Sequence, residues 1–444
     1  MTQAADAAPI AGKVDPPTRP SVRGLLGQAE IDVRLFGMLV ALGVILLTFN
    51  ILSGGKFFQA TNMVTLAVQA SGIAIIATGM VLVIVSRNID LSVGSLVGLV
   101  AMVYALLMTE WLENVLGIPA DFPFRWGIAL AIGMALGAAV GAVQGFIIAY
   151  IGVPSFIVTL GGLLSIRGAV WYLSSGAAVS GLDSTFQLIG GGAQGSVGGL
   201  LTWVLAALGC LAIVALLLNA RRQRRQHGFP LRPRWAEVVI GIVGCLAVFG
   251  IAAFANANYW PRGLAERYAT QNNIPIPEGG LLIPTGFPYP IILLIVVTLV
   301  MTLIATRRRF GRYVYAYGGN PDAAELAGIN TRWTILKTYV LMGVLCAIAA
   351  AIAVARLTAA TLDIGTSYEL YVIAAAVVGG TSFAGGIGTI PGAVLGAFVM
   401  QSLAYGLSYI GVDSPGQNVA AGVVLILAVG VDAWNRRRGT RSVT

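Results

Sequence analysis

The chain has 444 residues, 57% of them hydrophobic and 10% charged, where a soluble domain carries about 25% charged residues. A soluble globular domain is excluded, and 57 glycines suit the close helix packing of a bilayer protein. The net charge of +9 is clustered: of 27 Lys and Arg, 20 fall in four segments.

In chain order, residues 1–33 are Ala- and Pro-rich and polar. They lack the basic start and short apolar core of a secretory signal, and read as a flexible cytoplasmic tail. A membrane domain is expected over 34–434. A bilayer crossing needs about 20 apolar residues. Twelve segments qualify or nearly so: 35–52, 62–85, 91–109, 126–150, 154–175, 198–219, 235–255, 289–306, 335–355, 369–383, 388–410 and 416–434. The fold class is therefore all-α, a polytopic transmembrane helix bundle of about 10–12 spans. Segment 369–383 reaches only ~22 Å as a helix, short of a ~30 Å hydrocarbon core. It is either a span or a broken, re-entrant helix. Residues 435–444 form a basic cytoplasmic tail.

Charge tests this topology. The four basic clusters are the N-terminal tail (Lys13, Arg19, Arg23, Arg34), the run "RRQRRQHGFPLRPR" (221–234), the loop 307–337, and Arg436, Arg437, Arg438 and Arg441. With the N-terminus inside, twelve crossings place all four on the cytoplasmic face, as the positive-inside rule requires. A nucleic-acid partner is not expected from such charge. The loop 256–288, rich in Pro, Gly and Asn, falls outside. It is either a contact for an external partner or a connector.

Several chemistries are missing. The three cysteines lie in apolar runs, far apart along the chain, with no disulfide or metal spacing, and the single histidine, His227, sits in a basic loop. No nucleophile–base set and no metal or cofactor site is expected. There is no G-x-x-x-x-G-K-[ST] phosphate loop. Of 18 Asp and Glu, only Asp90 and Glu369 fall at plausible membrane depth, which argues against an ion-coupled carrier and for an external ATPase.

Three stretches carry candidate functional residues. In "SRNIDLSVGS", Asn88, Asp90 and Ser92 are good helix N-caps before the Gly94-containing apolar run. Either they cap a cytoplasmic turn with Arg87 in water, or they mark a helix broken inside the membrane, where a carboxylate needs a partner or a wet cavity. Arg167, inside the span "GGLLSIRGAVWYL", is expected to face the bundle interior. The break "GGTS" (Gly379, Gly380, Thr381, Ser382) follows the short apolar run and loosely repeats the first break, a pattern that points to transporter pathways.

The loop 307–334 holds a self-contained helix. Asn320 is an N-cap, Pro321 suits the first helical position, Asp322 complements the helix dipole, and Gly328 suits the stop. Glu325 lies within it. A two-turn helix there is either a docking peg for a soluble motor or a plain loop closure.

These residues resemble the permease subunits of bacterial ABC importers for pentoses, the ribose/xylose/arabinose branch. The matching stretches are "GMVLVIVSRNIDLSVGS", "GVPSFIVTLGGLLSIRG", "RFGRYVYAYGGNPDAAELAGI", "YELYVIAAAVVGGTSFAGGIGTIPG" and "VLILAVGVDAW". The ribose type looks like ten spans. The pair at about 198–255 is an addition similar to the xylose type, which makes xylose the expected substrate. One departure is Arg87-Asn88, where the family often has Gly-Gly or Ser-Gly. The resemblance implies an inner-membrane importer with two permease copies forming the pore. A cytoplasmic ATP-binding subunit would dock on 320–328, and a periplasmic sugar-binding protein would deliver substrate. It implies no cofactor and no covalent chemistry in this chain.

Overall fold

The computed structural model describes residues 33–441. The tail expected over 1–33 lies outside them apart from Val33. Of the tail expected over 435–444, only a helical backbone to Arg441 is described. We number the main helices in chain order. They are α1 (Val33–Leu52), α2 (Ala60–Val85), α3 (Val93–Leu106), α4 (Arg125–Phe146), α5 (Ser155–Ser174), α6 (Gly199–Gln226), α7 (Arg234–Asn256), α8 (Arg262–Gln271), α9 (Tyr289–Arg307), α10 (Arg309–Gly319), α11 (Pro321–Leu326), α12 (Thr331–Leu357), α13 (Tyr368–Val378), α14 (Ile390–Tyr409) and α15 (Ser414–Arg441). A π turn, Leu107–Trp111, carries α3 on to Asn114. Among the described residues, the strands are one antiparallel pair, Val179–Ser180 with Ala359–Ala360.

Among the described residues, ten helices are long and apolar enough to cross a membrane, and two shorter apolar helices, Tyr368–Val378 and Ser414–Leu427, accompany them. The bundle is all-α, as its composition dictates. At its centre, α2 and α3 are almost wholly enclosed, packed against α12, α13 and α14. The closest crossing is α4 against α12. It runs antiparallel: Gly137 abuts the Gly343 carbonyl, and Gly141 abuts the Tyr339 carbonyl. A Cβ at Gly141 would lie 2.2 Å from that oxygen, so only glycine permits the approach.

The bundle has two distinguishable ends. At one, residues 85–87, 318–319 and 385–388 meet, because Gly386 N–H donates to the Val85 carbonyl (3.0 Å) and Arg87 reaches Gly318 and Gly319. The α9–α10 junction, Arg307–Arg312, lies at this basic end. The starts of α6 and α9 are joined at the opposite end by Phe287 N–H donating to Thr202 Oγ1 (2.9 Å). Both helices run from there, so the arginines after Leu218 and those after Ala305 reach the same end.

Several sequence expectations change. Segment 369–383 is not one helix: α13 has 11 residues, ~16 Å of rise. Residues 359–367 lead into it as an irregular limb. Ala359 and Ala360 pair with β-residues beyond α5. The limb then dives between α3 and α5, turning at Gly365 (φ 78) and Ser367 (φ 61) into the start of α13. The chain thus passes from one end of the bundle toward the other through an irregular limb and a short helix. The span expected at 91–109 starts at Val93 and runs through the π turn to Asn114. The loop 256–288 is not featureless: α8 lies within it, and Trp260 packs edge-on to Tyr268. Cys210 and Cys245, distant in sequence, are neighbours across the α6–α7 hairpin; both are free thiols, 3.8 Å from Cys210 Sγ to the Cys245 carbonyl.

Candidate translocation site and coupling helix

The first break is partly surface and partly interior. Arg87 is exposed, while Asn88, Asp90 and Ser92 are buried. The two readings of "SRNIDLSVGS" therefore both describe part of it: a rim turn at Arg87, then a non-helical segment entering the bundle. Ser92 holds the cap position of α3, but its hydroxyl bonds no helix N–H. Instead Asp90 Oδ1 accepts from both Ser92 N–H (2.9 Å) and Ser92 Oγ (2.7 Å), and Gln144 Nε2 donates to Ser92 Oγ (2.9 Å). The Ile89 carbonyl accepts from Tyr339 OH and Thr159 Oγ1, each at 3.3 Å. Non-helical backbone at membrane depth is tolerated only when enclosed by protein and supplied with partners. This segment meets both conditions.

The irregular limb that leads into α13 lies against the first break. A Cβ on Gly94 would meet the Gly365 carbonyl at 2.2 Å and Glu369 Oε2 at 2.4 Å. The N-terminal turns of α3 and α13 thus touch at glycines and run apart. Their positive dipole ends converge, with the Asp90 and Glu369 carboxyl groups beside them. Arg167 faces the bundle, as expected, and its Nη1 donates to the Leu362 (3.0 Å) and Ile364 (3.4 Å) carbonyls. It satisfies main-chain oxygens that the irregular limb leaves outside any helix.

On its other side, α13 borders a polar cavity of about 160 Å³. Tyr368 and Tyr371 from its first turn line it, together with Gln69 of α2, Arg356 of α12, Gln401 of α14 and Gln417 of α15. Gln401 Nε2 donates to Gln69 Oε1 (3.0 Å). Amide and phenol groups with one guanidinium offer donors and acceptors without a buried carboxylate, a set that suits a neutral hydroxyl-bearing solute. Sequence reasoning missed these residues. The available signal was an amide or guanidinium inside an apolar run, as in "TLAVQASG", "FVMQSLAY" and "AVARL".

Gly379–Ser382 does not join this cavity's lining. Gly379 caps α13, where a Cβ would meet the Gly392 backbone at 2.5 Å. Gly380 turns at φ 91, Thr381 N–H donates to the Ala376 carbonyl, and Ser382 N–H to that of Ile387. The segment is a tight turn returning the chain into α14 at the basic end.

The coupling-helix candidate has the local structure expected of it. Asn320 Oδ1 accepts from Ala323 N–H (3.1 Å), Pro321 opens α11, and Gly328 takes φ 79. Ile329 N–H then closes on the Ala324 carbonyl (3.1 Å). Ala324 is buried, Asp322 and Glu325 are exposed, and Leu326 is 89% exposed. Thr331 Oγ1 donates to Glu325 Oε1 (3.1 Å), tying α11 to the start of α12. The sequence did not foretell α10, which precedes it. Burial pushes the α10 Tyr317 phenol up; the Arg87 charge opposes this and that of Glu325 adds to it.

A multi-pass helical membrane protein with a broken span beside a polar cavity, and a capped surface helix at its basic end, has the architecture of a permease. The family model described as "Branched-chain amino acid transport system / permease component" matches residues 62–225 and 200–429, and the chain belongs to that family. It is 35% identical over 419 residues to the xylose transport system permease protein XylH of Escherichia coli (strain K12), covering 94% of this chain and 96% of that one. The XylH of Haemophilus influenzae is 34% identical, covering 92% and 98%. The ribose import permease protein RbsC of E. coli (strain K12) is 32% identical, covering 89% and 92%. No solved structure matches the chain. Relatives named as permeases make this chain a transport component and not an enzyme.

Proposed function

We propose that the chain is the membrane subunit of an ATP-driven sugar importer in a bacterial inner membrane, and that its substrate is xylose. Near-full-length similarity to xylose permeases carries the reading, and the hydrogen-bonding cavity, lined without a carboxylate, fits it. Both termini lie in the cytoplasm, since the basic end carries Arg307–Arg312. A cytoplasmic ATP-binding subunit docks on Asn320, Pro321, Asp322, Glu325 and Gly328. A periplasmic sugar-binding protein meets the end bearing α8. Two copies of the chain assemble in the lipid bilayer. ATP binding by the partner favours one state of the pair over another, which is a population shift driven by differential affinity. The first break, Asn88, Asp90, Ser92 and Gly94, together with Arg167 of α5, is the part that rearranges around the sugar, and Gly379–Ser382 is the turn that ends α13 at the basic end.

Reconstituted vesicles with both partners test this. Xylose uptake should require ATP and survive a protonophore. Uptake that persists without the ATPase and collapses with the protonophore identifies an ion-coupled carrier instead. Similarity to the ribose permease supports ribose as a second substrate reading; it prevails if ribose outcompetes xylose in the same assay. Substituting Glu325 and Gly328 should leave insertion intact and abolish retention of the ATPase subunit.

A further inference from the structure

Arg87 adopts φ 59, the left-handed region where a side chain is strained and glycine is the natural occupant. Its side chain is held as unusually as its backbone. Nε donates to the Gly318 carbonyl at 2.7 Å, and Nη2 to the Gly319 carbonyl at 2.9 Å. Those glycines end α10 and directly precede Asn320, the cap of α11. The contact is made on three sides. A Cβ on Gly318 would lie 1.8 Å from the Val85 carbonyl, and one on Gly385 would lie 2.6 Å from Arg87 Cγ. Tyr315 OH donates to the Gly388 carbonyl (2.7 Å). Beyond Arg87 the chain passes at once through buried Asn88, Asp90 and Ser92 to Gly94, which touches Gly365 and Glu369 at the start of α13.

We propose that Arg87 is a positioning residue that fastens the first helix break to the hinge of the surface helix, so that displacement of 320–328 is passed to 88–94 and from there to α13. The proposal rests on the reading of 320–328 as the ATPase dock. A planar guanidinium bonding two successive carbonyls fixes direction as well as distance, which a single-point ammonium does not. A plain structural role, in which Arg87 only satisfies the last carbonyls of α10, predicts a different pattern on substitution.

Three variants separate the two roles in vesicles holding the full complex. Arg87→Met keeps the strained backbone and loses the donors. Arg87→Gly relieves the backbone and loses the donors. Arg87→Lys keeps one donor group. Sugar moved per ATP hydrolysed should fall about tenfold in both Met and Gly variants, the scale of a lost charge-assisted hydrogen bond, and be partly restored in Lys. Melting temperature should follow the backbone instead, with Gly above Met, and all three should retain the ATPase subunit. Transport that tracks melting temperature, with the Gly variant fully active, overturns the fastening role. Failure of the docking reading looks different: the ATPase subunit would then bind undiminished to a chain altered at Glu325 and Gly328.

Discussion

The centre and the rim of this bundle obey different solvents. In α2 and α3, 94% and 89% of the spanning window is buried inside the protein; in α6 and α7 it is 17% each. Yet the α6–α7 hairpin is the more apolar of the two regions. Lipid accepts leucine and valine as readily as a protein core does, so apolarity alone does not draw a helix inward. What marks the centre is what lipid rejects. Asp90, Ser92, Gln144, Gln69 and Gln401 all lie inside the bundle with partners, and Gly94, Gly98, Gly137 and Gly141 meet neighbouring backbones. The hairpin's glycines mostly meet flexible side chains or nothing: a Cβ on Gly250 has no atom within 4 Å.

That contrast can be broken most forcefully at the glycines. Gly141→Leu should prevent assembly, since overpacking costs about 3 kcal/mol or more where backbone must move, while Gly250→Leu should be silent. The yield of monodisperse protein in detergent compares them, and equal yields would dissolve the distinction between centre and rim. Next in size is Asp90. Asp90→Ala leaves Ser92 N–H without its acceptor and should cost about 1–3 kcal/mol, whereas Asp90→Asn keeps an acceptor and should lose much less. Thermal stability in detergent should rank them in that order.

Arg167→Leu should free the limb 361–367. Faster deuterium uptake confined to that limb, with reduced transport, is the expected signature; full activity would place Arg167 outside the working core. Gln401→Leu should lower uptake while insertion and melting stay near wild type, because the cavity gains a methyl-bearing wall and loses one hydrogen bond to Gln69, about 1 kcal/mol. The smallest effect belongs to the rim. Arg221 pairs with Glu237 across the hairpin's basic tip, where both keep partial solvent access, and Arg221→Gln should change stability by about 1 kcal/mol or less, with transport untouched.

Much of this architecture is legible without coordinates. The small helix Pro321–Leu326 follows from Asn320, Pro321 and Gly328 because caps act within a few residues of themselves. The inward face of Arg167 follows from the cost of charge in hydrocarbon. The cavity was not legible: Gln69, Arg356, Tyr368 and Gln401 come from four separated segments, and no local rule links them. Nor was the meeting of the first break with the limb that leads into α13, since Gly94 and Gly365 are 271 positions apart by subtraction of their numbers.

Composition and charge by themselves determined that the chain is a helical bundle crossing a membrane and which basic segments share a face, because bilayer thickness and charge cost act on each segment separately. Only the tertiary structure decided which apolar helices the rest of the chain encloses and which it leaves exposed. It alone also showed that 359–378 runs as a limb plus a short helix, and that Arg87 is bonded to Gly318 and Gly319. Those outcomes depend on which backbones can approach each other and which polar groups find partners, and that is a property of the packed whole.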